Sequence, residues 1–262
     1  MKLALIFKLF LIILFSAPSF AAENSLGKIF DEYQKSYQAN DFDSAKNIAE
    51  EALQSHTHNS YLIYNLGLTE YKLGRVGAAI GLWRKALYSN PRLKQASDAI
   101  DYAVSQMPTK PLTKNTDSTW AWMNSLITKN LSFNYLWPAC LILFIISGMG
   151  LIKHFADKKR AFENDDSAPI INNKVWTFTC LFMLVAAVSL ISFLDHTTPK
   201  ATAISKPTQV KTGPNLEFGT LFEIPEGTEV LIRDNEGEWY KIEDPTGRLG
   251  WIADDQLLIT TM

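Results

Sequence analysis

The chain has 262 residues, of which 47% are hydrophobic and 20% are charged, and its 25 basic and 27 acidic side chains give a formal net charge of −2. This near-neutral charge argues against a nucleic-acid-binding protein, because neutralising phosphates requires a strongly basic surface. Two cysteines exclude a disulfide-stapled scaffold and a zinc site made of cysteines alone.

Residues 1–21 have the pattern of an export signal. Lys2 and Lys8 supply positive charge around the start of an apolar run, and Ser19 and Ala21 place small residues where a signal peptidase acts. We therefore predict cleavage after Ala21, which would place the following residues outside the cytosol. An uncleaved amino-terminal anchor helix is the alternative.

Residues 22–110 contain an internal repeat with a period of 34 residues, which separates Ala45 from Ala79. Small residues at such positions let two helices approach closely, and larger ones fill the space between helical hairpins. We predict two helical hairpins followed by a capping helix over residues 94–104. The second copy of the repeat carries its characteristic residues at Leu66, Gly67, Tyr71, Gly74, Ala79, Trp83, Ala86 and Pro91.

These residues resemble the tetratricopeptide (TPR) repeat. The resemblance implies an all-α TPR superhelix whose concave face holds a peptide or a partner helix, and a plain helical spacer is the alternative. The first copy departs from the pattern, since Tyr33 stands where the glycine would be and Thr57 where the proline would be.

Residues 111–134 follow with aromatic and apolar side chains at helical spacing, which predicts an amphipathic segment at the membrane interface. An ordinary soluble helix is the alternative. Two uncharged apolar segments come next, at 135–152 and 175–194. At about 1.5 Å per residue, each is long enough to cross a hydrocarbon core of about 30 Å. We predict a two-helix transmembrane hairpin.

The connecting loop 153–174 carries five basic residues, which predicts that it lies in the cytoplasm. Together with the export signal, this predicts a multi-pass protein of the bacterial cytoplasmic (inner) membrane with both folded ends outside the cytosol. Cys140 and Cys180 would lie at depths that differ by roughly 9 Å, too far apart for a disulfide.

A linker over 195–207 is predicted to lead into a β-rich region at 208–262, where short strand-like runs alternate with turns. The motifs resemble the bacterial SH3-like (SH3b) domain, which implies a C-terminal all-β barrel. They are Thr212-Gly213-Pro214, Pro225-Glu226-Gly227, Gly237-Glu238-Trp239 and Gly250-Trp251-Ile252.

The SH3b resemblance implies an aromatic-lined groove for a peptide or a protein. The candidate groove residues are Phe218, Trp239, Tyr240 and Trp251. The alternative is that Trp239 and Trp251 simply pack in the core. Residues 200–262 hold eleven acidic and six basic side chains, so an anionic wall polymer is not an obvious ligand and a protein ligand is preferred.

The sequence offers no catalytic motif. No glycine-rich phosphate loop follows a predicted strand, and no Ser/His/Asp set, Cys/His set or metal-ligand cluster falls within one domain. We therefore expect a protein that is not an enzyme, with no catalytic residues, no cofactor and no metal site.

The order of signal, TPR repeats, two spanning helices and terminal SH3b domain resembles the BatE-type proteins of bacterial aerotolerance (Bat) operons. This resemblance implies a membrane-anchored scaffold that assembles envelope proteins in stress physiology. The implied partners are membrane proteins with von Willebrand A domains and, indirectly, a MoxR-type ATPase. A protein that binds or senses the cell wall through SH3b contacts with peptidoglycan is the alternative.

Overall fold

The computed structural model describes residues 20–113, 133–164, 166–167 and 169–261. The predicted export signal, apart from its last two residues, lies outside these ranges, as does most of the predicted interfacial segment 111–134. In the described part, a group of helices comes first, then two long apolar helices, then an antiparallel β-sheet.

The amino-terminal helices, with the residues that follow them to 113, are called the helical domain. Short connections return each helix against its predecessor. Asp41 and Asn59 cap the second and third helices, because their side-chain oxygens accept hydrogen bonds from backbone amides of the first turn. The helices are α1 (Phe20–Gln38), α2 (Phe42–Ser55), α3 (Ser60–Lys72), α4 (Val76–Ser89) and α5 (Lys94–Gln106).

Close contact between α3 and α4 depends on a glycine. A β-carbon at Gly67 would lie 2.5 Å from Nε1 of Trp83, so any larger residue would displace the indole. Trp83 is buried, and its Nε1 donates to the carbonyl oxygen of Tyr64 at 3.2 Å. Gly74 forms the turn before α4 with φ +81°, a conformation that favours glycine. The rest of this core combines larger aliphatic side chains such as Ile63 and Ile80 with alanines, which include Ala45, Ala49, Ala79, Ala86 and Ala96.

Packing explains why the first copy of the repeat has Tyr33 where the pattern has a glycine. Tyr33 is only 5% exposed, and its hydroxyl donates to the carbonyl oxygen of Asn65 at 2.6 Å. The same hydroxyl lies 2.9 Å from Oγ1 of Thr69. A tyrosine therefore fills the space between α1 and α3 and satisfies its own polar group. Burial raises the pKa of this hydroxyl.

Two long apolar helices follow, α6 (Phe133–Glu163) and α7 (Asn173–Thr197). Ring centroids of Phe144 and Phe182 are 5.5 Å apart, and the hydroxyl of Ser147 lies 2.8 Å from that of Thr179. As the residue number rises along α6, that of its contact on α7 falls, so the helices are antiparallel. Both are long and apolar enough to cross a membrane, over Leu136–Glu163 and Asn173–Leu194.

Helix α6 runs further than the sequence predicted. It continues past Ile152 to Glu163, so the first half of the predicted loop 153–174 is helical. This stretch has no glycine or proline, and Lys159 pairs with Glu163 one turn later at 3.7 Å. The connection between the apolar helices is correspondingly shorter.

The carboxy-terminal residues 200–261, called the β domain, form one sheet in which neighbouring strands are antiparallel. Its inner face packs around fully buried aliphatic side chains, among them Val210, Ile224, Ile242 and Ile252. The strands are β1 (Lys200–Ala203), β2 (Thr208–Lys211), β3 (Thr220–Ile224), β4 (Glu229–Glu236), β5 (Trp239–Glu243), β6 (Leu249–Ala253) and β7 (Leu257–Ile259), with a 3₁₀ turn at Asp254–Gln256. Their order in the sheet is β3-β2-β6-β5-β4-β1-β7.

The prediction of a linker over 195–207 is wrong at its centre, because residues 200–203 form strand β1. Three of the four residues of β1, Ala201 to Ala203, are completely buried. Two of them are alanines, which favour strands little on their own. The strand exists because β4 and β7 pair with it on both sides.

Helix α4 of the helical domain lies against β1 and β7 of the β domain. The two folded domains therefore contact each other directly, although the two apolar helices separate them in the sequence.

Candidate ligand face

Two tryptophans lie on the outer face of the sheet, on adjacent strands. On β5 and β6, Ile242 and Ile252 are completely buried in the domain core. Because successive side chains of a strand point to opposite faces, Trp239 and Trp251 project away from that core. Both are partly exposed. The alternative that these two side chains pack in the core is therefore wrong.

Lysines flank the second of these tryptophans on both neighbouring strands. Trp251 is the register partner of Lys241 on β5 and of Lys211 on β2. Directly opposed residues of neighbouring strands share a face, so the two lysines stand on the strands on either side of the tryptophan. We call these four residues, Trp239, Lys241, Trp251 and Lys211, the tryptophan face.

Phe218 is held beside this face by Lys211. The ammonium group of Lys211 donates to the carbonyl oxygens of Leu216 and Phe218 at 3.0 and 3.1 Å. The ring of Phe218 lies over Gly213, where a β-carbon would come within 2.8 Å of it. Phe218 remains 46% exposed. The loop between β2 and β3 thus carries an accessible aromatic ring at the border of the tryptophan face.

Tyr240 does not share this arrangement. It opposes Ile252 in the register of β5 and β6, and its side chain packs against the buried core residues on the inner face. Of the four aromatic residues singled out in the sequence, the structure places Trp239 and Trp251 on one outer surface, Phe218 at its border, and Tyr240 beneath it.

A carboxylate fixes the turn that joins the two tryptophan-bearing strands. Asp244 accepts hydrogen bonds from the backbone amides of Thr246 and Arg248 at 2.9 Å, and Nη2 of Arg248 lies 2.7 Å from its second oxygen. Burial raises the pKa of Asp244, but these hydrogen bonds outweigh it and hold the pKa below its ordinary value. The Arg248 guanidinium also stacks over the ring of Phe222, at 4.0 Å from its centroid.

A cavity of about 320 Å³ lies elsewhere, at the junction of the helical domain and the β domain. Its wall includes Pro108, Pro207 and Pro225, together with the ion pair of Lys206 and Glu226, whose charged atoms are 3.3 Å apart. The only carboxylate of the wall that is buried is thus already neutralised. The tryptophan face is the better candidate because its aromatic and cationic groups are accessible.

The comparisons with known proteins bear on the β domain. Residues 207–257 match the family model of the bacterial SH3 domain. The match spans β2 to the start of β7 and includes the whole tryptophan face. A comparison with curated proteins found no match to the chain. The protein therefore carries a bacterial SH3 domain after two apolar helices, which confirms the SH3 part of the sequence prediction.

Sequence reasoning missed the roles of Lys211 and Lys241. A signal for them was present, since Trp239, Lys241 and Glu243 alternate with the apolar side chains of β5. That alternation assigns the tryptophan to the same face as charged residues. The pairing of Lys211 with Trp251, in contrast, joins β2 to β6 across 40 residues and is visible only in the folded sheet.

Proposed function

We propose that this protein is a non-enzymatic, membrane-anchored scaffold of the bacterial envelope, whose tryptophan face holds a peptide-like ligand outside the cytosol. The observation that carries the proposal is the outward position of Trp239 and Trp251. A β domain needs no partly exposed indoles for its own core, whereas tryptophans with part of their surface open to solvent are typical of binding surfaces.

The chemistry of the face supports an elongated ligand that carries carboxylates. Indole rings provide flat apolar contact area at a low entropic cost. The ammonium groups of Lys211 and Lys241 would pair with carboxylates of the ligand on either side of Trp251. The positive charge is confined to the surroundings of Trp251, because Asp234 and Glu236 on β4 oppose Lys241 and Trp239 in the register of the sheet. The region as a whole is negative, with eleven acidic and six basic residues over 200–262.

Peptidoglycan is the ligand that the family match favours, since SH3 domains of this bacterial type often bind it. Its stem peptides are short and bear carboxylates, which fits the tryptophan face. Envelope proteins are the other ligand class, and the helical domain would recruit a further protein through its TPR-like repeats. The proposed partners in a Bat-type complex, the A-domain membrane proteins and the MoxR-type ATPase, rest on the resemblance of architecture alone.

Sedimentation with purified peptidoglycan tests the ligand class. The full chain in detergent should sediment with the insoluble polymer, and Trp239→Ala should abolish this while the far-UV spectrum is unchanged. Tyr240→Phe is the matched control, because it alters an aromatic residue of the same strand on the inner face. If wild type stays in the supernatant, peptidoglycan is not the ligand.

Co-purification tests the scaffold role. The solubilised wild type and Trp239→Ala would be isolated side by side from membranes and their partners identified by mass spectrometry. Envelope proteins that are present with wild type and lost with Trp239→Ala would support a protein ligand on this face. If no protein co-purifies with either chain, the scaffold proposal fails.

A further inference from the structure

One stripe of helix α4 faces the β domain. Gly77, Gly81 and Arg84 follow each other at intervals of four and three residues and therefore share one side of the helix. A β-carbon at Gly77 would lie 3.0 Å from Cα of Ile204, and one at Gly81 would lie 3.3 Å from Cβ of Thr202. The two glycines let the helix backbone approach strand β1 more closely than a longer side chain would permit.

Arg84 supplies the polar contacts of this stripe. Its Nη1 donates to Oγ1 of Thr202 at 2.9 Å and to the carbonyl oxygen of Gly227 at 2.7 Å. Its Nε lies 3.9 Å from a carboxylate oxygen of Glu229. The side chain is 20% exposed, and burial lowers the pKa of Arg84 while Glu229 opposes that shift. A mostly buried cation is thus matched entirely by acceptors of the other domain.

The β domain also caps the helix. Arg75, at the N-cap position of α4, makes no side-chain capping hydrogen bond. Instead, the amide of Gly77 in the first turn donates to Oε2 of Glu226 at 3.2 Å. A carboxylate at this position satisfies a free amide and interacts favourably with the helix dipole. The capping group comes from a residue 149 positions later in the chain.

The contact continues beyond α4. After α5, the amide of Leu112 donates to Oγ1 of Thr228 at 3.1 Å, and the Leu112 side chain packs against the core of the β domain. In the other direction, Leu258 of β7 packs against the core of the helical domain. Thr202, on the outer face of β1, is completely buried as a result. Each domain therefore completes the packing of the other.

We infer that the helical domain and the β domain form one docked head that lies on a single side of the membrane crossed by α6 and α7. The chain leaves this head after α5 and returns to it at β1. Two antiparallel spans fit this path, because they bring the chain back to the side from which it left. The inference goes beyond the proposed function, since it depends neither on the ligand nor on the charges of the 153–174 loop.

A disulfide between the domains tests the docked head. In a chain with Cys140→Ala and Cys180→Ala, the pair Gly81→Cys and Thr202→Cys would be introduced. The corresponding β-carbons are 3.3 Å apart, close to the separation of about 3.5–4.5 Å found in disulfides. A protease site inserted between α6 and α7 then allows the two halves to be separated after the membranes are isolated under thiol-blocking conditions.

The halves should stay joined on a non-reducing gel and separate when a reductant is added. Gly27→Cys with Thr202→Cys is the matched control and should not cross-link, because Gly27 on α1 is exposed and nothing lies within 4 Å of its β-carbon position. Halves that separate without reductant, even when an oxidant has been added to the lysed cells, would overturn the inference. A cross-linked product of twice the chain mass would also overturn it, since docking would then occur between two copies.

A second pair, Gly81→Cys with Leu258→Cys, covers the case in which the first pair prevents folding; the β-carbons are again 3.3 Å apart. If both pairs fail to link chains that fold, the docked head is excluded. A link that forms only after cell lysis with added oxidant would support docking but contradict the proposed extracytoplasmic location, because disulfides form readily outside the reducing cytosol.

Discussion

The outer face of the β-sheet has two ends with very different surfaces. Its covered end, formed by β1, β7 and the start of β4, lies against α4 and uses small side chains such as Thr202 around one buried arginine. Its open end is the tryptophan face on β5, β6 and β2. Along the same face, the sheet therefore carries small, fully buried groups where α4 covers it, and large, partly exposed aromatics at the other end.

The two ends of the sheet suit two different kinds of contact. A permanent contact gains from close backbone approach and from hydrogen bonds that are never exchanged with water. A reversible binding surface needs apolar area that is tolerated in solvent between binding events, which indoles flanked by lysines provide. Substitutions at the covered end should therefore change domain docking, and those at the open end should change binding.

Among the substitutions outside the core of the β domain, the largest effect is expected at the covered end. Arg84→Ala leaves the Gly227 carbonyl, the Thr202 hydroxyl and the Glu229 carboxylate without their cation, at an expected cost of about 2–4 kcal/mol to docking. Hydrogen exchange of the full chain in detergent should show faster exchange at the amides of β1. Lys35→Ala, on the exposed surface of α1, is the control and should leave these rates unchanged. Unchanged exchange in Arg84→Ala would show that the cation does not hold the domains together.

Acid should loosen the open end through Asp244. The pKa of this carboxyl is lowered from 3.8, so its stabilisation is present above about pH 4 and is lost as the pH falls through the lowered value. Asp244→Asn should remove part of this pH dependence and destabilise the β domain by about 1–3 kcal/mol, because it weakens a buried hydrogen-bond network. Chemical denaturation between pH 2 and 7, followed by tryptophan fluorescence, would measure the stability of both proteins as a function of pH. An identical pH profile in the variant would refute the role of Asp244.

Trp251→Ala should separate stability from binding. Because the indole lies outside the core and its loss leaves no closed cavity, we expect a loss of about 2 kcal/mol in stability, by the area that leaves contact with the sheet. Retention on peptidoglycan or on the partner protein should nevertheless disappear. Ile252→Ala, one residue later on the inner face, should show the opposite balance with a cost of about 2–5 kcal/mol. Chemical denaturation and sedimentation of the same samples would measure stability and ligand retention separately.

The smallest effect is expected for Lys211→Met. It removes two exposed hydrogen bonds to the loop that carries Phe218, which contribute about 0.5 kcal/mol each at most. Global stability should hardly change, while the loop amides between Gly213 and Gly219 should exchange faster. Lys200→Met would serve as a comparison at the other end of the sheet. Equal loop exchange in wild type and Lys211→Met would rule out a positioning role for the ammonium group.

Local pattern predicted most of the elements. The small residues at a 34-residue period indicated the helices of the second hairpin, and the alternation around Ile242 and Ile252 indicated strands β5 and β6. Tyr33 shows the limit of such patterns. Its place opposite Thr69 became favourable only because α1 and α3 leave room for a ring and offer an acceptor for its hydroxyl.

By itself, the sequence determined the order of the chain: helices first, two apolar segments able to cross a bilayer, and a bacterial SH3 domain at the end. Periodicity and the length of an apolar run are properties of a short stretch of sequence, so they can be recognised without knowing which distant residues contact that stretch. Only the tertiary structure decided that Gly77, Gly81 and Arg84 face β1, that Glu226 caps α4, and that Lys211 stands beside Trp251. These contacts join residues far apart in sequence, and their geometry arises from packing that no local pattern encodes.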